Sequence, residues 1–124
     1  MTATQLGRVQ LMIMQTLWAR GRATAREITD ALNGIEPIAH STVQTLLRGL
    51  EEKGSIAHEA EGRTFTFFPL VQEDKFKRSA TRDLLDRVFG GDVTSLVAHL
   101  LKNEQVSKKE MQEIRRLISD RDQK

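Results

Sequence analysis

Apolar residues recur along the first half of the chain at helical spacing, broken by punctuation. Leu6, Val9, Ile13 and Leu17 form one stripe, widened by Met12 and Trp18, which predicts a helix from Leu6 to Arg20 stopped by Gly21. Trp18, at the end of that stripe, reads as core rather than as a stacking platform. Thr24-Ala25-Arg26-Glu27 is a capping box. It opens a short helix with Ile28, Ala31 and Leu32 inward, ended by Asn33-Gly34. Gly34 to Ala39, with Pro37, is a turn region. From Ser41 to Gly54 the stripe is Val43, Leu46, Leu47 and Leu50, the i, i+3, i+4, i+7 pattern of a third helix. Its cap is Ser41 or a residue slightly earlier. Then the period drops to two. Ile56, His58 and Ala60 share a face. Phe65 and Phe67 oppose Thr64, Thr66 and Phe68 along a run that starts at Arg63. Glu61-Gly62 is the turn between them and Pro69 the end, which makes a β-hairpin.

Beyond Val71 the pattern is helical again. Phe76, Ala80, Leu84 and Val88 form a stripe joined by Leu85 and Phe89, and Gly90-Gly91 breaks it. Asp92 caps a helix with Val93, Leu96, Val97, Leu100 and Leu101 on one face. Ser107 to Glu110 is a second capping box, opening a last helix with Met111, Ile114, Leu117 and Ile118. Three helices of this length make a thin core alone. Their wide apolar faces ask for cover, either from a second copy of the chain, which gives a two-fold dimer, or from the first half. The dimer is the favoured reading, with Leu84, Leu85, Val88, Leu96, Val97, Leu100, Leu101, Met111, Ile114, Leu117 and Ile118 as its candidate contacts.

Helix, helix, helix, hairpin is the order of a winged helix-turn-helix. Opposite the apolar stripe of the third helix lie Ser41, Thr45, Arg48 and Glu52, flanked by Thr42 and Gln44. Hydroxyls, an amide and a guanidinium are the groups that bond base edges and phosphates in a major groove. The same face also suits an ordinary solvated helix. Gly49, inside it, is either a place of close approach or a tolerated defect costing about 1 kcal/mol relative to alanine. Gly62 and Arg63 sit where a wing tip meets phosphate; Arg63 equally suits a cross-strand pair with Glu59 or Glu61.

Charge tempers this picture. Of 19 Lys+Arg and 17 Asp+Glu, residues 1–70 hold 7 of each and cancel, leaving +2 for residues 71–124. DNA binding must therefore rest on local placement of charge, and non-specific affinity is expected to be modest. The absence of cysteine excludes a disulfide framework, a thiolate metal site and a cysteine nucleophile, and fits a reducing, cytoplasmic setting. No apolar run approaches a membrane span, and the N-terminal residues lack a signal peptide's apolar segment. His40, His58 and His99 have no metal-ligand spacing, and no glycine-rich phosphate loop appears. Neither a catalytic motif nor a cofactor is expected.

In order and spacing, several segments resemble the penicillinase-repressor family, the BlaI/MecI/CopY group of bacterial transcriptional repressors. They are Val9 to Trp18, Thr24 to Leu32, Ser41 to Gly54, Glu59 to Pro69, Phe89-Gly90-Gly91, Ser95-Leu96-Val97 and the helix from Ser107 to Leu117. The resemblance implies a homodimer on palindromic operators, often with TACA and TGTA half-sites, that blocks transcription. By position it implies Ser41, Thr42 and Thr45 as contacts to bases and phosphates; helix geometry adds Gln44 and Arg48, and Thr24 and His40 complete the candidate DNA-binding set with Gly62 and Arg63. The family's C-terminal helices make the dimer. Where the family usually has an arginine before the last leucine of the recognition helix, this chain has Gly49, preceded by Arg48; near the helix start it has His40-Ser41 in place of a basic or proline residue. In the penicillinase branch a membrane sensor protease triggers cleavage in the C-terminal region, which makes such a protease a possible further partner. The corresponding bond here is His99-Leu100 rather than Asn-Phe, and the cysteine-rich tail of the copper branch is missing.

The expectation is a mainly α protein with a β-hairpin wing. Residues 1–70 are a winged helix-turn-helix that binds double-stranded operator DNA, and residues 71–124 a helical dimerisation region. A protein-interaction module on the same scaffold, never reading DNA, is the alternative.

Overall fold

In the computed structural model, which describes residues 6–123, the elements run α1 (Arg8–Arg20), β1 (Ala23–Thr24), α2 (Ala25–Asn33), α3 (His40–Glu52), β2 (Ile56–Glu61), β3 (Thr64–Pro69), α4 (Glu73–Phe89), α5 (Val93–Asn103) and α6 (Lys108–Asp122). The expected mainly α class with a hairpin wing is what forms. Helix α1 starts later than Leu6 because Gly7 caps it: its N–H donates to Gln10 Oε1 at 2.9 Å. Leu6 still packs against the core from outside the helix. Gly21 ends α1 at φ 84°, donating its N–H to the Leu17 carbonyl at 2.7 Å.

The capping box of α2 forms as the sequence requires. Glu27 N–H donates to Thr24 Oγ1 at 3.1 Å, and Thr24 N–H donates to Glu27 Oε1 at 2.9 Å. Thr29 is buried beside Ile28 and Leu32, a place the apolar pattern had given to Ala31. Its hydroxyl is satisfied there, donating to the Ala25 carbonyl at 2.8 Å. Asn33 clips the α2–α3 turn: Nδ2 donates to the carbonyls of Thr29 (2.8 Å) and Ile38 (2.9 Å), and Oδ1 accepts from Ile38 N–H (3.2 Å). Three bonds from one side chain fix the angle at which α3 leaves the turn.

Neither Ser41 nor any other side chain caps α3. Its N-cap is Ala39, whose carbonyl accepts from the amides of Thr42 and Val43, both at 3.1 Å. Val43, Leu47 and Leu50 are buried, with Leu46 packed beside them. They meet Ile13, Met14, Leu17, Ile28, Leu32, Ile56 and Phe67 in the core. Truncating a fully buried leucine such as Leu47 typically costs about 2–5 kcal/mol, so this stripe is what holds α3 on its scaffold.

The sheet has the order β1-β3-β2, all antiparallel. Strand β1 adds Ala23 and Thr24 opposite Phe67 and Thr66; two residues are too few for a period to reveal. The hairpin register pairs Glu61 with Thr64, so the turn is Gly62-Arg63, one residue later than the expected Glu61-Gly62. Gly62 has φ 63° and no non-glycine residue described has positive φ, so glycine stands first in a two-residue loop, as a type II′ turn requires. Arg63 is therefore a tip residue and not the first of the strand.

The chain divides into two compact units between Asp83 and Leu84, inside α4. This lies beyond residue 70 because Trp18 holds the segment after the wing. Its Nε1–H donates to the Val71 carbonyl at 2.8 Å, and its ring lies 5.4 Å from that of buried Phe76. In the second unit Gly90 and Gly91, at φ 59° and 81°, turn the chain out of α4. Asp92 caps α5 by accepting from Ser95 N–H at 3.2 Å. Ser107 and Glu110 form the expected capping box of α6.

Candidate nucleic-acid interface

The buried stripe of α3 fixes which side of it meets solvent. Ser41, Thr42, Gln44, Thr45 and Arg48 are all exposed, on the first two and a half turns. Thr45 Oγ1 donates to the Ser41 carbonyl at 3.1 Å, which orients its hydroxyl along the helix. His40 is half-buried, with Nδ1 2.8 Å from Thr29 Oγ1. Because the single Thr29 proton goes to Ala25, the imidazole Nδ1–H is the donor in that pair, and Nε2 is left for an outside partner.

Between α3, the N-terminus of α2 and the wing runs a groove of about 640 Å³. Thr24 and Arg26 line it from the α2 side, Gln44, Arg48 and Glu51 from α3, and His58, Arg63 and Phe65 from the hairpin. Four expected residues, Thr24, Gln44, Arg48 and Arg63, are thus brought together. Ser41, Thr42, Thr45 and His40 lie outside the groove wall on the same helix, and Gly62 sits beside Arg63 at the wing tip.

The floor of the groove is tied across. His58 Nδ1, on β2, lies 2.5 Å from Glu51 Oε1, in the last turn of α3. The His58 ring stacks on Phe65 with centroids 4.1 Å apart and planes 16° from parallel. Arg26, Glu51, His58 and Phe65 escape sequence reading because nothing in a periodic pattern says that α2, α3 and the hairpin converge. Only the cross-strand register brings Phe65 over His58.

The neutral charge of residues 1–70 proves to be sorted by place. Arg8 forms a two-pronged pair with Glu36, and Arg22 pairs with Glu59 at 2.7 Å while lying over Phe68. Glu59 is therefore taken by Arg22 rather than by Arg63. Arg20 leans on the Glu27 carbonyl at 3.5 Å. The Glu27 carboxyl is held below the usual carboxylate range by the Thr24 backbone N–H and then by the Thr24 hydroxyl. The Glu36 carboxyl is lowered by its bond from Arg8. Among the described residues, the side chains of Arg26, Arg48 and Arg63 make no ion pair or hydrogen bond with the rest of the chain, and all three line this groove. Its one acidic wall residue, Glu51, already faces His58. A surface neutral in total thus presents unpaired guanidiniums at the exposed face of α3, the arrangement that binds a polyanion.

The candidate dimer residues lie in the second unit. Leu84, Val88, Val97, Leu100, Leu101, Leu117 and Ile118 are exposed, Val88 and Leu117 to 67% and 66%. Leu96, Met111 and Ile114 are half-buried, and Leu85 is already buried within the chain. Among the described residues no cluster of acidic and histidine side chains is placed to hold a metal ion, and no helix is long and apolar enough to cross a membrane.

Comparison with known proteins agrees with this geometry. The sequence model of the penicillinase repressor family matches residues 6–120. The penicillinase repressor of Bacillus licheniformis is 27% identical over 116 residues, covering 94% of this chain and 91% of that protein. The methicillin resistance regulatory protein MecI of Staphylococcus aureus strain N315 is 25% identical over 107 residues, 86% of this chain and 87% of that one. The solution structure of the DNA-binding domain of the repressor BlaI superposes with a TM-score of 0.54 at 27% identity, covering 60% of this chain and 90% of that domain. The chain belongs to the penicillinase repressor family, winged-helix DNA-binding transcriptional repressors and not enzymes.

Proposed function

We propose that the chain acts as a homodimer on palindromic operators, setting two copies of α3 into successive major grooves about one helical turn apart. The observation that carries this is the groove beside the exposed polar face of α3, where Arg48 and Arg63 stand unpaired. Ser41, Thr42, Gln44, Thr45 and Arg48 read base edges or hold phosphates; Thr24, His40, Gly62 and Arg63 hold the backbone on either side. Repression follows by occupancy: a dimer seated on an operator in the cytoplasm excludes the transcription machinery.

The second unit supports the dimer. Val88, Val97, Leu100, Leu101, Leu117 and Ile118 are exposed there, and so many exposed apolar side chains in one unit are what an isologous interface buries. The functional division then follows the expected one, DNA binding before about residue 70 and dimerisation after it. A sensor protease acting in the C-terminal region belongs to the same inheritance. At His99-Leu100, however, it would meet the middle of α5, which must unwind before extended backbone enters a protease.

The test is fluorescence anisotropy of the purified protein on a TACA/TGTA palindrome against a scrambled duplex near physiological salt. A preference on the order of a thousandfold supports a sequence-specific repressor. Equal, salt-insensitive binding to both duplexes would overturn the reading.

A further inference from the structure

We infer that Arg26 is a phosphate clamp on the α2 wall of the groove, a contact made from an element other than the recognition helix and the wing. The inference rests on the DNA-binding reading above and deepens it.

Sorting of charge by helix face points to this side chain. Arg26 and Glu27 are neighbours in the first turn of α2, yet they serve different grooves. Arg26 lines the one bounded by α3 and the wing. Glu27 lines the groove between α1 and α2, together with Asp30. The Glu27 carboxylate is also bent back onto the Thr24 amide, 2.9 Å away, so it does not neutralise Arg26. The Arg26 side chain is exposed and makes no ion pair or hydrogen bond among the described residues. The capping box fixes the backbone from which it projects. An arginine left without an internal partner, on a rigid first turn and in the same groove as Arg48 and Arg63, is preorganised for an outside anion.

Arg26 has a different task from Arg48. It stands outside α3, on the α2 side of the groove, where a contact to the duplex backbone rather than to base edges is the expected one. Such a contact sets register and orientation and carries no sequence information. Wing and α2 then each add a backbone contact to those of the recognition helix, so a helix with a single arginine suffices on residues of no net charge.

The experiment measures affinity of the full chain for the palindrome and for a scrambled duplex across a salt series, with wild type, Arg26→Gln and Arg26→Lys. Thermal melts first confirm that both variants fold. The clamp predicts that Arg26→Gln weakens binding to both duplexes by the same factor, on the order of tenfold, and that the slope of log affinity against log salt becomes shallower by about 0.9 for each phosphate released. Arg26→Lys keeps the charge and most of the slope. Wild-type slope and affinity in Arg26→Gln would overturn the clamp while leaving the repressor reading intact. A loss confined to the palindrome, with an unchanged slope, would also overturn it, by making Arg26 a base contact. Wild type that binds neither duplex would overturn both.

Discussion

The indole of Trp18 donates its N–H to the backbone carbonyl of Val71 at 2.8 Å, and this bond holds the segment after the hairpin on the first unit. It joins the end of α1 to the residues that lead into α4, and the ring also packs on Phe76, at 5.4 Å. Trp18→Phe removes the donor and keeps much of the apolar area. The expected loss is about 1–2 kcal/mol, because the Val71 carbonyl is left half-buried and unpaired. Chemical denaturation followed by circular dichroism checks this; an unchanged midpoint would show that water replaces the indole at no cost.

No other part of the chain crowds Gly49, inside α3. A methyl group built there meets nothing nearer than Gln10 Nε2, at 4.0 Å. Gly49→Ala is expected to stabilise the protein by about 0.5–1 kcal/mol through helix propensity, with DNA affinity unchanged. A variant that melts higher but binds DNA poorly would show that a phosphate does approach the backbone at this point.

Arg48 decides between base and backbone contact. Arg48→Ala is expected to cost roughly 1–3 kcal/mol on the operator and little on a scrambled duplex if the guanidinium holds a base, and to weaken both alike if it holds a phosphate. The anisotropy titration that tests operator preference separates the two. Identical binding by variant and wild type would remove Arg48 from the interface.

The capping carboxylate of α2 makes stability depend on acidity with a definite sign. Glu27 sits below its ordinary value of 4.5 because the Thr24 amide and hydroxyl bond its charged form. A group lowered in the folded state stabilises above its unfolded value and loses that contribution as pH falls through the folded one. Glu36, lowered by Arg8, has the same sign. Glu27→Gln should therefore melt closer to wild type at pH 3 than at pH 7, as read by thermal melts across that range. A difference that is constant with pH would mean that the carboxylate is not bonded in solution.

Leu100, exposed to 48% on α5, is one of the exposed apolar residues of the second unit. Leu100→Lys places a charge in the proposed dimer interface, where burial without a partner is costly. Sedimentation velocity is expected to show a dimer for wild type and a monomer for the variant, and the variant should lose its advantage on palindromic over half-site DNA. A variant that sediments like wild type would move the interface elsewhere.

Periodicity and punctuation along the chain were enough for the six helices and the hairpin that the described residues form. Helical spacing of Val43, Leu46, Leu47 and Leu50 named the buried side of α3 and so its exposed one. The Thr24–Glu27 and Ser107–Glu110 boxes and Asp92 placed three helix starts, because capping is a local bond between near neighbours. Bonds between residues far apart in the chain leave no such local mark. The start of α3 at His40 depends on how Asn33 clips the turn, and the shift of the wing tip to Gly62-Arg63 depends on cross-strand register. Strand β1 exists only because β3 offers an edge, and Trp18 carries the first unit on to Asp83 by a bond across 53 positions of sequence. Above all, a net charge of zero over residues 1–70 gave no sign of a binding face. Charge is additive along a chain, but a groove selects by position. Folding pairs Arg8 and Arg22 with acids and turns Glu27 away from Arg26. It leaves Arg26, Arg48 and Arg63 together, because three elements distant in sequence converge on one core.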